Sequence, residues 1–332
     1  MKAFVVEHYG KDGLRVADVP EPEVGDGDVL VKVRAASINP LDKMVRNGEF
    51  KRLLKYQTPF TLGHDVAGVV TSVGAAVRDF QAGDEVYARP RDLRIGTFAE
   101  YIAIDQDDVA PKPASLTLHE AAAVPLVSLA AWQALVDRAH LNPGQKVVVH
   151  AGSGGLGSTA IQLAKHLGAT VATTANERNA ELVRSLGADV VVDYNKQDFA
   201  EVLAGYDVVL DSRGGENLEK SLTVLKPGGL AIGVTGPPDP GFAKQLGAPQ
   251  YIRVAMGLLS RKLRKQARKL GVSYSFLFMQ ANGAQLRELA TLYDAGHLRP
   301  VIDKTFPFDQ TLEALAYVEQ GRSNGKVVIT LD

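Results

Sequence analysis

The chain has 332 residues, of which 45% are hydrophobic and 23% are charged, as is typical of a globular protein that folds as two domains. Its net charge of −1 gives no general attraction to nucleic acid or to a membrane. The lack of cysteine excludes disulfides, thiol nucleophiles and cysteine-ligated zinc, and it fits a reducing, cytoplasmic compartment. The N-terminal residues have a strand pattern and no apolar run reaches about 20 residues, so we predict neither a secretory signal nor a membrane span.

The first part of the chain predicts a mostly β structure. Short runs of β-branched or alternating apolar residues recur between turn residues, and this regular spacing indicates a small barrel. The runs are residues 3–7, 29–36, 66–73, 85–88 and 98–104. Residues 120–124 and 127–137 then have the pattern of helices.

A glycine-rich turn lies near the centre of the chain, between the β-branched run 147–149 and a segment of helical periodicity. In its G-x-G-x-x-G pattern, Gly152 permits the tight turn, Gly154 lets a pyrophosphate approach the backbone, and Gly157 lets the helix pack on the strand. The free N–H groups of the helix N-terminus favour the anion. A tight turn without a ligand is the alternative, but the flanking strand and helix favour a dinucleotide site.

After this turn, strand and helix patterns alternate. Strands are predicted at 170–174, 190–193, 208–211 and 230–235, and a helix at 179–186. This alternation predicts a doubly wound, parallel α/β sheet.

The residues at the end of the second strand of this sheet indicate which cofactor binds. A site for NAD usually carries Asp or Glu there, on the ribose 2′-hydroxyl. Here Thr174 occupies that position and Arg178 follows, and an arginine can bind a 2′-phosphate in a bidentate manner. We therefore predict NADPH. Two alternatives stay open, because Glu177 could take the NAD role if the strand ends later, and Arg178 could be a solvated residue at a helix start.

A basic segment, residues 260–269, carries six cations within a helix predicted over residues 258–270. Such a helix can make a peripheral contact with an anionic membrane. The alternative is an ordinary solvated helix face. Residues 272–278 then have a strand pattern with aromatic content.

Several motifs, taken together and in order, give the chain a resemblance to a known family over nearly its whole length. The motifs are residues 37–42, with an N-P-x-D signature, and residues 63–70, 77–84, 96–101, 151–157, 186–189 with 193–194, 226–229 and 325–328. With these motifs, the sequence resembles the medium-chain dehydrogenase/reductase family, on its zinc-free quinone oxidoreductase branch.

This resemblance implies a fold and a site. The fold would be α/β, with a GroES-like β-barrel catalytic domain from residues 1–122 and 283–332 and a Rossmann, parallel-sheet NADP-binding domain from residues 123–282. The resemblance also implies a homodimer, paired through the strand at 272–278. With the glycine turn, the cofactor-binding residues are then Gly152, Ser153, Gly154, Gly155, Leu156, Gly157, Thr174, Arg178, Tyr194, Thr235 and Asn324.

The resemblance also bears on zinc. The positions that carry a zinc-binding cysteine in the related alcohol dehydrogenases fall near Asn39 and Leu126, which leaves His64 as the remaining ligand-like residue. One histidine without thiolate partners does not make a catalytic zinc site, so we predict that no metal is bound.

Without a metal to hold an alkoxide, a conjugated acceptor is the easier substrate. Hydride addition to a quinone or to an α,β-unsaturated carbonyl spreads charge onto an oxygen that hydrogen bonds can stabilise. We therefore expect an NADPH-dependent, zinc-independent reductase of such compounds. A nucleotide-binding sensor or a membrane-surface interaction protein with little catalysis is the alternative function.

The candidate catalytic residues lie in the barrel motifs. Asn39, Asp42 and Tyr87 are proposed, although a turn asparagine, a helix-capping aspartate and a packed tyrosine are the respective alternatives. His64 is expected to be a satisfied, buried histidine rather than a proton donor.

Overall fold

The computed structural model describes residues 1–51, 53–321 and 323–331. The chain forms two compact units. The first unit combines Met1–Leu129 with Gln280–Asp332, and the second unit is Ala130–Met279.

The N-terminal segment of the first unit is rich in short strands. Its helices are α1 (Pro40–Arg46), α2 (Leu118–Ala122) and α3 (Pro125–Trp132), the last of which continues into the second unit. Its strands are β1 (Lys2–Val6), β2 (Leu14–Asp18), β3 (Asp28–Ile38), β4 (Phe60–Thr61), β5 (Asp65–Val73), β6 (Glu85–Ala88), β7 (Tyr101–Asp105) and β8 (Val109–Pro111).

The second unit alternates strands with helices. A π-helical turn, Gln133–Arg138, extends α3. The strands are β9 (Lys146–Val149), β10 (Thr170–Ala175), β11 (Val190–Asp193), β12 (Tyr206–Asp211), β13 (Leu225–Gly233) and β14 (Ser273–Phe276). The helices are α4 (Gly155–His166), α5 (Ala180–Ser185), α6 (Phe199–Val202), α7 (Gly215–Ser221), α8 (Pro240–Gln245), α9 (Gln250–Leu259) and α10 (Arg261–Lys269).

The C-terminal segment returns to the first unit and completes its sheet. It contains α11 (Gly283–Asp294), β15 (Ile302–Pro307), α12 (Thr311–Glu319) and β16 (Lys326–Thr330). Among the described residues, the larger sheet has the order β15-β16-β3-β5-β6-β8, with β7 also paired to β3, and β2-β1-β4 form a smaller sheet. Apolar side chains from both segments share one core, among them Val31, Phe98, Leu315 and Val327.

The second unit is built on a parallel sheet. Within the described part of the chain, its strands have the order β11-β10-β9-β12-β13-β14, and every neighbouring pair is parallel. The carboxyl ends of β9, β10, β12 and β13 therefore share one edge. The strand order changes direction at β9, and ligands of such sheets bind at the carboxyl ends beside that point.

The basic segment differs from its predicted form. The single helix expected over residues 258–270 is two helices, because α9 ends at Leu259 and α10 begins at Arg261. Ser260 lies between them, fully buried, and donates its hydroxyl to the Met256 carbonyl. Apolar periodicity continues across this break, so the sequence pattern does not reveal it. No helix in the described residues is long and apolar enough to cross a membrane.

Candidate functional site

The glycine-rich turn between β9 and α4 is packed at both ends and open in the middle. A Cβ on Gly152 would lie 2.1 Å from Oγ1 of Thr173, and a Cβ on Gly157 would lie 2.2 Å from the carbonyl oxygen of Ala151. A Cβ on Gly154 would meet only the Ala151 carbonyl oxygen, at 3.4 Å. Packing therefore requires Gly152 and Gly157, whereas Gly154 borders open space.

The N-terminus of α4 begins at this open position. Gly154 is the N-cap residue and has no side chain to satisfy the first N–H groups, which belong to the turn that starts with Gly155 and Leu156. Free N–H groups and the positive end of the helix dipole bind phosphate oxygens well. The turn thus fits the pyrophosphate of a dinucleotide.

Strand β10 supports the glycine turn through Thr174. The Thr174 hydroxyl accepts the Ala151 N–H at 3.1 Å, and its carbonyl accepts the Gly152 N–H at 3.0 Å. The same hydroxyl lies 3.2 Å from Nδ1 of His150, whose Nε2 lies 2.9 Å from the Ser221 hydroxyl. Burial lowers the pKa of His150 to about 4, so the ring is neutral at pH 7 and serves as a hydrogen-bonding support.

Exposed polar side chains follow the ends of the neighbouring strands β10 and β11. Arg178 and Tyr194 are both exposed, and Nδ2 of Asn176 lies 3.5 Å from the Tyr194 hydroxyl. Glu177, the acid that could favour NAD, forms an ion pair with Lys196 at 2.9 Å. The carboxylate is therefore partnered, while the Arg178 guanidinium is exposed to solvent.

The other predicted cofactor residues lie in different places. Ser153 accepts a hydrogen bond from Nδ2 of Asn179 at 3.0 Å, which ties the glycine turn to the segment after β10. Thr235 is exposed and follows β13, at the carboxyl edge of the sheet. Asn324 belongs to the first unit and precedes β16.

A cluster of buried polar side chains occupies one end of the larger sheet in the first unit. Strand β3 ends there, its antiparallel neighbour β5 begins there, and Val327 of β16 pairs with Ile38 of β3. Each member is at most 5% exposed. We call this set the buried polar cluster: Ser37, Asn39, Asp42, His64, Asp65 and Lys326.

Asp65 is the centre of this cluster. Its Oδ2 accepts hydrogen bonds from Nδ2 of Asn39 at 2.8 Å, from the Ser37 hydroxyl at 2.9 Å and from Nζ of Lys326 at 3.0 Å. Its Oδ1 accepts the Leu126 N–H at 2.8 Å. Lys326 also donates to Oδ1 of Asn39, so the Asn39 amide bonds within the cluster through both its nitrogen and its oxygen.

Asp42 joins the start of α1 to His64. Its Oδ2 accepts the Asn39 N–H at 2.7 Å, and its Oδ1 lies 2.5 Å from Nδ1 of His64. Nε2 of His64 is buried and has no hydrogen-bond partner among the described residues. His64 is therefore buried, as expected, but it is not satisfied, because Nε2 lacks a partner among the described residues.

Tyr87 lies in β6 and is fully buried. Its hydroxyl donates to the Leu286 carbonyl of α11, which connects the two sequence segments of the first unit. Burial raises the pKa of the Tyr87 hydroxyl well above its ordinary value. These surroundings are those of a packed aromatic residue.

The residues of the cluster do not fit a catalytic zinc ion. Such a site needs three protein ligands around the metal. Nε2 of His64 is a single nitrogen, and the carboxylates of Asp42 and Asp65 already accept several hydrogen bonds. Among residues 1–51, 53–321 and 323–331, no group of three or more His, Asp or Glu side chains is placed to hold a metal.

Comparison with known proteins identifies the family. The family model described as an alcohol dehydrogenase GroES-like domain matches residues 25–114, and the one described as a zinc-binding dehydrogenase matches residues 186–329. The chain is 36% identical to the mitochondrial NAD(P)H oxidoreductase RTN4IP1 of Mus musculus, over 100% of this chain and 89% of that protein. It is also 36% identical to the chloroplastic NADPH-dependent alkenal/one oxidoreductase of Arabidopsis thaliana, over 99% of this chain and 79% of that protein. The chain belongs to the medium-chain dehydrogenase/reductase family.

A solved structure supports the same assignment within this family. The quinone oxidoreductase from Coxiella burnetii matches with a TM-score of 0.87 and 31% identity, covering 100% of this chain and 99% of that chain. The chain is thus an oxidoreductase on the quinone oxidoreductase-like branch. The predicted fold, a GroES-like domain with a Rossmann domain, is confirmed.

Two charged residues of this oxidoreductase were not among the predicted site residues. Lys326 is 5% exposed at the start of β16. The sequence feature that could have indicated it is a lysine directly before an apolar, β-branched run. Arg89 follows β6 and is fully buried, with Nη2 bonded to Asp92 at 2.7 Å. Its Nε and Nη1 have no partner among the described residues. Because Val66 pairs with Ala88, Arg89 lies at the same end of the sheet as the buried polar cluster.

Proposed function

We propose that this oxidoreductase uses NADPH to reduce quinones or α,β-unsaturated carbonyl compounds, and that it does so without zinc. The observation that carries the proposal is the buried polar cluster, in which Asn39, Asp65 and Lys326 bond to one another instead of presenting metal ligands. The names of the relatives support the substrate class, since one is an alkenal/one oxidoreductase that depends on NADPH and another is a quinone oxidoreductase.

Bound NADPH would supply the hydride. In our proposal, the open position at Gly154 receives the pyrophosphate, and Arg178 with Tyr194 binds the 2′-phosphate. The ion pair between Glu177 and Lys196 supports NADPH over NADH, because it engages the acid that follows β10 in sequence and could otherwise bind a ribose hydroxyl.

The first unit would act on the acceptor oxygen. Hydride addition to a conjugated carbonyl leaves negative charge on that oxygen, so a hydrogen-bond donor and a proton are required. We assign this role to Nε2 of His64, which has no partner among the described residues, while Nδ1 of the same ring is held by Asp42. Asn39 and Asp42 then act as positioning residues, and Tyr87 acts through packing.

The first experiment measures NADPH consumption with a chelator present, against a quinone, a conjugated enone and a saturated ketone. We expect turnover of the quinone or the enone and none of the ketone, because only the conjugated acceptors spread the charge without a Lewis acid. Loss of activity on chelation would contradict the zinc-free proposal. Tight NADPH binding with no turnover of any acceptor would favour the nucleotide-binding sensor.

A second experiment tests His64 directly. The His64→Gln variant should lower kcat for the enone by about 10²-fold, the usual contribution of a positioned general acid. The affinity for NADPH, followed by nicotinamide fluorescence, should not change. The exposed residue His119 provides the matched control, His119→Gln, which should leave kcat as it is. An unchanged kcat in His64→Gln would remove His64 from the proposed mechanism.

A third experiment tests the choice of cofactor. Arg178→Gln should raise KM for NADPH about 10-fold to 100-fold and leave KM for NADH unchanged, because a charge-assisted hydrogen bond to the 2′-phosphate is lost. The control is Lys165→Gln, which removes a cation of the same unit that pairs with Asp189. Equal changes for both cofactors would contradict the assignment of Arg178.

We further propose a homodimer and a cytoplasmic location. Strand β14 is an edge of the parallel sheet in the described residues, and an edge strand can pair with the same strand of a second copy. Sedimentation velocity would report the dimer, and a monomer at every concentration measured would contradict this proposal. The lack of cysteine supports a reducing compartment.

A further inference from the structure

Helix α9 presents an apolar face to solvent. Tyr251, Leu258 and Leu259 are 71%, 63% and 66% exposed, and Val254 is 55% exposed. The opposite side of the helix holds Met256, which is buried in the core of the second unit. Four large apolar side chains on one helix of ten residues exceed what scattered surface residues would give, and such patches mark interaction sites.

A groove lined by arginines runs beside this face. It has a volume of about 530 Å³. Four arginines line it, Arg253, Arg261, Arg264 and Arg268. Val254 and Leu258 line the same groove, so apolar and cationic groups meet in it. Nε of Arg253 is buried and has no hydrogen-bond partner among the described residues. An unpartnered guanidinium N–H in a groove of four arginines indicates an anionic ligand.

The segment that forms this surface is strongly basic. Residues 240–272 carry eight cations and neither Asp nor Glu, although the whole chain has a net charge of −1. One of these cations, Lys262, is paired with Glu219 at 2.6 Å. Leu263 and Ala267 anchor α10 in the core, so the helix holds its remaining cations on the outer side.

We propose that α9 and α10 form a docking surface for an anionic phospholipid membrane. The arginine groove would bind the phosphates of the headgroups, and Tyr251, Leu258 and Leu259 would insert at the boundary of the acyl chains. Interfacial helices combine an apolar face with a basic face in this way, and each Lys or Arg near the surface adds to the attraction. An aromatic residue such as Tyr251 is favoured at the level of the headgroups.

Other occupants fit this surface less well. A second copy of the chain in a two-fold dimer would place the seven cations of α9 and α10 against the same seven cations, and this repulsion opposes pairing. A nucleic acid would satisfy the arginines but would leave the apolar face of α9 exposed. A dissolved phosphate compound would likewise bind the arginines and leave the apolar face of α9 exposed. A membrane satisfies both the charge and the apolar side chains.

This docking would also place the enzyme where apolar acceptors accumulate. Quinones with long apolar chains partition into bilayers, so a docked reductase would meet them at the membrane surface. That consequence rests on the proposed function, whereas the docking itself does not. Vesicle binding is measured without NADPH or acceptor, so a failure of docking and a failure of catalysis are distinguishable.

The experiment is co-sedimentation of the full chain with vesicles of phosphatidylcholine alone or of phosphatidylcholine with 30% phosphatidylglycerol. We expect binding to the anionic vesicles only, weakening as salt is raised. The triple variant Arg261→Gln, Arg264→Gln, Arg268→Gln should bind about 100-fold more weakly, following the usual contribution of each basic residue. Leu258→Ser with Leu259→Ser should weaken binding about tenfold and retain the salt dependence.

A matched control removes three exposed lysines of the first unit, Lys11, Lys51 and Lys55, each changed to Gln. This variant should bind like the unmodified protein, and thermal melting should show that all variants fold. Equal sedimentation of the two triple variants would overturn the proposal, because binding would then depend on charge in general. No binding to anionic vesicles would also overturn it. In that case, a shift of oligomeric state in the Leu258 and Leu259 variant would indicate a subunit interface, and retention on heparin would indicate a soluble polyanion.

Discussion

Lys326 illustrates how a single buried charge can be held in this fold. Its ammonium group lies 3.0 Å from Oδ2 of Asp65 and also donates to Asn39. A buried ion pair is expensive to desolvate, and it persists only where further hydrogen bonds satisfy both partners. The Ser37 hydroxyl and the Leu126 N–H supply those bonds to Asp65.

Removal of the lysine should therefore be costly. Lys326→Met leaves the Asp65 carboxylate buried without its charged partner, and we expect the free energy of unfolding to fall by about 3–5 kcal/mol. Urea denaturation measures the change. The double variant Lys326→Met, Asp65→Asn should recover part of the loss because the uncompensated charge is gone.

The control for this change is Lys165→Met. Lys165 pairs with Asp189 at 2.9 Å, but both side chains are more than a third exposed, so the loss should stay below about 1 kcal/mol. Equal losses for Lys165→Met and Lys326→Met would show that the ion pair to Asp65 contributes no more than a surface pair.

His150 links stability to pH. Its ordinary pKa is 6.5, and burial lowers it to about 4 in the folded protein, so the unfolded chain binds this proton more readily. The contribution is fully present above about pH 6.5 and is lost as pH falls toward 4, by up to about 3 kcal/mol. The free energy of unfolding of His150→Gln should therefore depend less on pH between 4 and 6.5 than that of the unmodified protein. Parallel curves for the two proteins would contradict this assignment.

At the residue scale, the sequence predicted the glycine-rich turn between β9 and α4 better than the buried polar cluster. The three glycines are adjacent in sequence and each has a local physical reason, so spacing alone identified them. Asn39 and Lys326 are 287 positions apart and meet because β16 pairs with β3. No local pattern encodes that pairing. The unpartnered Nε2 of His64 likewise depends on where Asp42 lies in three dimensions.

At the scale of elements, different glycines of the turn between β9 and α4 serve stability and ligand binding. Gly157→Ala forces a methyl group to within 2.2 Å of the Ala151 carbonyl oxygen, so we expect a loss of about 1–3 kcal/mol in the free energy of unfolding. Gly154→Ala has room for its methyl group and should leave stability nearly unchanged. It should instead weaken NADPH binding, because the methyl group occupies the approach of the pyrophosphate.

These two variants are controls for each other. Thermal melting and NADPH titration should separate them, with Gly157→Ala lowering Tm and Gly154→Ala raising Kd. The assignment of the turn as the pyrophosphate site fails if Gly154→Ala binds NADPH as tightly as the unmodified protein.

The predicted elements match the structure best where local periodicity decides them. Strand β9 and helix α4 are strong local patterns and appear as expected. The break at Ser260 was not predicted, because the apolar periodicity of the sequence continues across it. The buried Ser260 hydroxyl bonds to the Met256 carbonyl, and periodicity does not reveal such a bond. Strands β2 and β4 were also missed. These two strands contain few apolar residues and show no clear alternation. Their pairing with β1 defines them, and a sequence pattern does not show that pairing.

At the scale of the whole molecule, the two units differ in how the chain builds them. The second unit is continuous in sequence, whereas the first needs both ends of the chain. The core of the second unit comprises residues between Val148 and Phe276. The core of the first unit mixes residues such as Phe4 and Val33 with Leu315 and Ile329.

This difference predicts how fragments behave. Residues 123–282, the cofactor domain proposed from sequence, should fold alone, melt cooperatively and retain NADPH binding, as calorimetry and cofactor titration would show. A chain that ends at residue 282 should fold in its second unit only, because β3 and Tyr87 lose their partners in β16 and α11. Failure of 123–282 to melt cooperatively would show that the domain limits are wrong.

The pairing of β16 with β3 also sets an order of events during synthesis. Strand β3 leaves the ribosome early, but its neighbour begins at Lys326, close to the C-terminus. At about 5–20 residues per second, the nearly 300 intervening residues take about 15–60 s to emerge. Throughout that interval residues 35–38 of β3 lack their partner strand β16, although β7 can already pair with residues 28–32, and the continuous second unit is complete before the last strand appears. The nascent chain therefore exposes residues 35–38 of β3 as an unpaired sheet edge, and we expect the second unit to become native before the first.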